Sequence, residues 1–133
     1  MGQDSSDVRR TGYPVSQEMR QENGSPSDRG LAVARALADW LRKRFGDRVL
    51  QVTLFGSVAR GEAAEDSDVD LLVLVREPLT RGEQAEMSDY SYDLDLAHGT
   101  VTQYFVETVD RWERPAIRTS LLGRTVESEG VPL

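Results

Sequence analysis

The chain has no cysteine and only one histidine, His98, among its 133 residues. Without thiols it can form no disulfide, no thiolate zinc site and no cysteine nucleophile. It also has no apolar run of the roughly 18 residues needed to cross a bilayer. The first residues lack the apolar segment of a secretory signal. These absences lead to the expectation of a cytoplasmic protein with no membrane contact. Positive charge is scarce as well: 16 Lys and Arg stand against 23 Asp and Glu, for a net charge of −7. Nucleic-acid-binding domains usually carry a basic footprint, so direct nucleic-acid binding by this chain alone is not expected. A nucleotide delivered with a divalent cation is compatible with the acidity, because the metal supplies the positive charge. The length suits one domain with a modest core.

Met1 to Gly24 is rich in Gln, Ser, Asp, Glu and Arg and poor in core formers. Residues 1–24 are therefore expected to be a loosely attached tail, and 25–133 the folded domain. Ser25-Pro26-Ser27-Asp28 is a helix start with a reciprocal cap. Leu31, Ala34, Leu37, Ala38, Leu41 and Phe45 follow at helical spacing, and Gly46 suits the C-terminal stop. Trp40 is expected to cover a sheet edge. Val49 to Phe55 and Val69 to Val75 are the first and second strands, antiparallel if they are neighbours, with Pro78 ending the second.

From Thr80 to His98 a moderate helical period runs to a stop at Gly99. The competing reading takes Tyr92-Asp93-Leu94-Asp95-Leu96 as a strand by alternation; helix is preferred. His98 then sits at a helix C-terminus, where it reads as a dipole partner rather than a general base. Thr100 to Glu107 is rich in β-branched and aromatic residues and is the third strand. Asp110 is placed to cap a last helix through Arg114, Pro115 breaks or restarts it, and Ala116 to Glu129 continues to Gly130. The order helix, strand, strand, helix, strand, helix predicts an α/β (α+β) domain with a small mixed sheet flanked by helices.

Chemistry concentrates between the first two strands. Leu54-Phe55-Gly56-Ser57 closes one, and after ten residues Asp68-Val69-Asp70 opens the other. Residues i and i+2 of a strand share a face, so the two aspartates project together. Two carboxylates on one face repel each other, which a hard divalent cation with oxygen ligands relieves. A Gly-Ser turn offers a phosphate close backbone approach at Gly56, free N–H groups and the Ser57 hydroxyl. Arg60 could reach a phosphate, or could pair with Glu62 or Glu65 on the surface.

This Gly-Ser, spacer, Asp-x-Asp pattern, with Arg60-Gly61 inside the spacer, resembles the minimal nucleotidyltransferase domains of the DNA polymerase beta-like superfamily. The resemblance implies the nucleotidyltransferase fold, with Asp68 and Asp70 holding Mg²⁺ (or Mn²⁺) and Gly56 and Ser57 meeting a nucleoside triphosphate. It implies transfer of a nucleoside monophosphate, by analogy AMP from ATP, to a hydroxyl of a protein or small molecule. Minimal members often act with a small helical partner of the HEPN type, as the antitoxin of a toxin–antitoxin pair. Active members add a third carboxylate on the next strand. This chain offers Thr102, Gln103 and Tyr104 there, with Glu107 further along. Gln103 and Glu107 are thus the candidate third positions, with Asp93 and Asp95 as alternatives. Should none serve, the alternative function is a catalytically weak module that binds nucleotide or blocks a partner.

Overall fold

A computed structural model describes residues 24–133. The expected tail lies outside the described residues except for Gly24. Helix α1 (Pro26–Phe45) begins as the sequence predicts: Ser25 Oγ accepts from the Asp28 N–H at 3.1 Å, and Asp28 accepts from the Ser25 N–H at 3.3 Å. A 3₁₀ turn, Gly46–Arg48, leads into strand β1 (Val49–Phe55). The short helix α2 (Gly56–Ala59) and a loop then return the chain into β2 (Val69–Val75). Helix α3 (Arg81–His98), capped by Thr80, precedes β3 (Thr102–Thr108). Three short helices follow, α4 (Val109–Trp112), α5 (Pro115–Arg118) and α6 (Leu121–Glu129), and the chain closes with β4 (Val131–Pro132).

The described residues form one mixed sheet in the order β3-β2-β1-β4. β1 runs antiparallel to β2 and to β4, whereas β3 is parallel to β2. Each face buries its own apolar set. Val69, Leu71, Val73 and Val75 of β2 turn toward α1 and α3, where they meet Leu37, Leu41 and Met87. Leu72 and Leu74 turn the other way, to Phe55, Trp112, Ile117 and Val126. Each fully buried Val or Leu is worth about 1.5–3 kcal/mol, so a continuous apolar run in β2 is what a central strand requires. β1 reaches the same end with a bulge. Its register with β2 shifts between Val49 and Gln51, which lets Val49 share the inner face with Val52 and Leu54 despite an odd spacing.

Several expectations are corrected. Trp40 does not cover a sheet edge: it stacks on Tyr90 of α3 (4.9 Å between ring centroids, 11° between planes) and bridges the two long helices. The preferred helical reading of Tyr92–Leu96 holds, since the stretch lies within α3. β3 starts at Thr102 rather than Thr100, because Thr100 and Thr102 bond the Asp95 carboxylate in the turn before it. Thr108, not Asp110, caps the next helix. The expected continuous helix from Ala116 is broken, with Ser120 capping a fresh start at Leu121. β4 was not expected; the Leu133 N–H donates to the Val52 carbonyl beside it at 2.9 Å.

The end of α1 is held to α3 by ion pairs. Arg44 meets Glu86 at 2.6 Å, and Arg48 makes a two-pronged contact with Glu83 at 2.8 and 2.9 Å. The Arg48 guanidinium, together with the Thr80 cap, holds the Glu83 carboxyl down to about 2. A depressed carboxylate stabilises the fold above its unfolded value, and that contribution fades as pH falls through the folded one. Glu83→Gln should therefore lower the melting temperature at neutral pH. Melting curves of both proteins should converge as the pH falls from the ordinary carboxylate range toward 2.

Candidate nucleotide-binding site

The antiparallel register sets Phe55 directly across from Asp70, so the turn that begins at Gly56 abuts the first residues of β2. Gly56 has φ +80°, and a Cβ there would collide with Asp70 Oδ2 and lie 3.3 Å from its Cγ. Glycine is thus required twice over, by conformation and by the closeness of the carboxylate. No side chain caps the N-terminus of α2, which leaves its first N–H groups for water or an anion. Behind the turn, Val58 packs against Gly30 of α1, where an added Cβ would lie 2.8 Å from Val58 Cγ2. Ser57 is half-buried at the turn, and its carbonyl accepts from the Glu62 N–H at 2.9 Å.

The connecting loop is fastened to α1. The Ala63 N–H donates to Ser27 Oγ at 3.0 Å, and Arg29 pairs with Glu65 at 2.8 Å. Asp68 and Asp70 follow, both half-buried. Among the described residues, neither carboxylate has a hydrogen-bond or ion-pair partner. Burial, and then the charge of Asp68, push the Asp70 carboxyl up from its ordinary value. Asp68 stands one residue before β2 and Asp70 is its second residue, so the two carboxylates lie close together at the start of that strand.

The remaining candidates divide. Gln103 pairs in register with Asp70 across the β2–β3 ladder and is exposed, so Phe55, Asp70 and Gln103 line up across three strands, with Gly56 in the turn just beyond Phe55. Glu107 is four residues further along β3, about 13 Å at strand rise, and pairs with Arg111 at 3.0 Å. Asp95 is committed to Thr100 and Thr102, and Asp93 is exposed on α3. The Arg60 guanidinium meets Glu62 at 3.0 Å and Glu129 at 2.9 Å. The contact with Glu129, from the far end of the chain, had no signal in the sequence. Among the described residues no cluster of three or more His, Cys, Asp or Glu could enclose a metal. The fit is to a cation held by two carboxylates, with its other ligands brought by a phosphate group or water.

A profile of the family described as the nucleotidyltransferase domain matches residues 34–129, a span that holds the Gly56 turn, both aspartates and β3. The chain belongs to this nucleotidyltransferase family. A solved structure provisionally named a minimal nucleotidyltransferase is 31% identical, with a TM-score of 0.52 over 77% of this chain and 91% of that one. A crystal structure of a mutant toxin–antitoxin MntA–HpeT shares the fold at 22% identity, with a TM-score of 0.50 over 74% of this chain and 69% of that one. In sequence, the chain is 36% identical over 76 residues to a Methanocaldococcus jannaschii protein provisionally named a protein adenylyltransferase. That match covers 50% of this chain and 77% of the relative. Protein adenylyltransferase MntA of Thermococcus cleftensis is 64% identical over 33 residues, but these span only 25% of this chain and 31% of that protein. Among the described residues of this nucleotidyltransferase domain, no helix is long and apolar enough to cross a membrane.

Two outcomes test the geometry. Asp70→Asn should raise the melting temperature of the metal-free protein at pH 7. An aspartate with a raised folded pKa favours the fold below its unfolded value and loses that contribution as pH rises. The gain should vanish in acid, and added Mg²⁺ should raise the melting temperature of the wild type more than that of the variant. Gly56→Ala should cost on the order of 1–3 kcal/mol from backbone strain alone, read by urea unfolding.

Proposed function

We propose that this domain binds a nucleoside triphosphate with a divalent cation and transfers its nucleoside monophosphate, AMP from ATP, to a hydroxyl of a protein, the new P–O bond replacing the α–β phosphoanhydride bond and pyrophosphate leaving. The observation that carries the reading is the meeting of the uncapped Gly56-Ser57 turn with the Asp68–Asp70 pair at one end of β1 and β2. Asp68 and Asp70 would hold Mg²⁺ or Mn²⁺, which supplies the positive charge that this acidic chain lacks. Gly56 and Ser57 would hold the outer phosphates through N–H groups and a hydroxyl, fixing the direction from which the acceptor hydroxyl reaches the α-phosphorus. Arg60, tethered to Glu62 and Glu129, lies at the rim and would assist only by leaving those partners. The name of the Thermococcus relative supports AMP as the transferred group, and a protein as the acceptor. The toxin–antitoxin assembly named in the MntA–HpeT structure supports a partner protein; this chain is proposed as the antitoxin and its partner as the small helical HEPN type that the motif resemblance implies. The proposed setting is the cytoplasm.

A second reading has its own observation. Gln103 stands beside Asp70 where active relatives are expected to carry an acid, and it offers a neutral carbonyl. On that reading the domain binds nucleotide and turns over slowly. Transfer of label from α-³²P-ATP to a co-expressed partner decides between them. Ser57→Ala should cost about 1–3 kcal/mol of triphosphate affinity, the worth of a hydrogen bond to a charged oxygen. Gln103→Asp should speed transfer with little change in affinity if the missing acid limits turnover. Brisk wild-type transfer unaffected by Gln103→Asp would refute the slow-module reading. Unchanged metal-dependent ATP affinity in Asp70→Asn would refute the site itself.

A further inference from the structure

β3 is the outer strand of the sheet, and among the described residues nothing pairs with its free edge. The bond from the Val69 N–H to the Val101 carbonyl at 2.8 Å sets the phase of the β2–β3 ladder. Odd-numbered residues of β3 therefore turn their backbone groups to β2, and even-numbered ones turn theirs outward. Two of the outward N–H groups are satisfied locally: Thr102 donates to Asp95 Oδ2 at 2.9 Å, and Thr108 to Glu107 Oε1 at 3.3 Å. Tyr104 and Val106 are left, each with an outward N–H and carbonyl. An open edge of this kind is a template for another strand.

The residue order selects the occupant. The groups left open are arranged symmetrically about Phe105: Tyr104 and Val106 flank it, and Thr102 and Thr108, whose N–H groups are already satisfied, stand three residues away on either side. We propose that β3 pairs antiparallel with β3 of a second copy of this chain, on a two-fold axis through Phe105. In that register Tyr104 and Val106 exchange their outward bonds with Val106 and Tyr104 of the partner subunit, which uses every outward N–H that is not satisfied locally. Phe105, 41% exposed in the single chain, meets its own copy, and aromatic pairs across strands are favourable. Gln103 faces Glu107 of the partner subunit, so no two like charges stand opposite each other, and Arg111 already neutralises each Glu107. Because Gln103 neighbours Asp70, the seam would form one wall of the candidate site. The pairing itself does not depend on the nucleotide reading.

Light scattering on the full chain should give twice 14.8 kDa. Val106→Pro removes an outward N–H that the chain's own ladder does not use, so it should return the mass to that of one copy while the far-UV circular-dichroism spectrum of the folded protein is kept. Should that variant misfold, Phe105→Lys, at an exposed position, should give the same single-copy mass. With no native cysteine, the register can be read directly. Paired Phe105→Cys chains would have Cα atoms about 4.5 Å apart, within disulfide reach, and should cross-link under mild oxidation. Gln103→Cys, about 13 Å out of register along the strand, should not. A single-copy mass for the wild type, including one caused by residues 1–23 covering the edge, overturns the proposal. So does equal cross-linking at both positions, or a dimer that survives Val106→Pro.

Discussion

The pairing of β1 with β2 at Phe55 and Asp70 is the constraint on which the site depends. β2 is buried on both faces from Val69 to Val75, apart from half-buried Asp70, and has no surface of its own on which to place polar chemistry. Carboxylates can exist only where the strand emerges, and they emerge beside the Gly-Ser turn because β1 runs the opposite way. The same pairing makes any substitution of Gly56 displace the Asp70 carboxylate, which fills the space that a side chain would need. Fold and site are thus a single arrangement: the apolar run that builds the core ends where the charge begins.

What the sequence makes legible follows from how strongly each element signals its period. α1, β1, β2 and α3 have long apolar patterns and clear caps, and their ends agree with the structure within a residue. The C-terminal third is harder. Four-residue helices such as α4 and α5 lie below the length at which a helical period can be counted, and β4 is two residues long. Asp95 shows what local pattern leaves out: its alternation with Asp93 offers a competing strand reading beside the preferred helix, and neither reading contains the bonds by which its carboxylate closes the turn into β3. The Gly-Ser and Asp-x-Asp motif marks Gly56, Ser57, Asp68 and Asp70. It cannot show Arg60 tied to Glu129, because that contact joins residues 69 positions apart.

Charge is distributed to match. Arg29, Arg44, Arg48, Arg60 and Arg111 are all paired with glutamates. These contacts occupy five of the 16 Lys and Arg residues, and Asp68 and Asp70 have no ion-pair partner among the described residues. A metal-bound triphosphate meets that electrostatic need in a way a long polyanion does not, since its charge is partly neutralised before it arrives.

Position 103 separates what the fold imposes from what it leaves free. Asp70 is held in place from one side by Gly56, and its strand is fixed by core packing above and below. Gln103 has neither restraint, because it is exposed on an edge strand. Glutamine and aspartate differ little there in burial or packing, so either residue is compatible with the same sheet. Their effect on an adjacent cation differs by a full charge. On the proposed reading the architecture sets where a triphosphate would sit, while an acid at position 103 is something that stability does not demand. Under the slow-module reading, turnover would then be open to change independently of the fold, at the free edge of β3 rather than in the core.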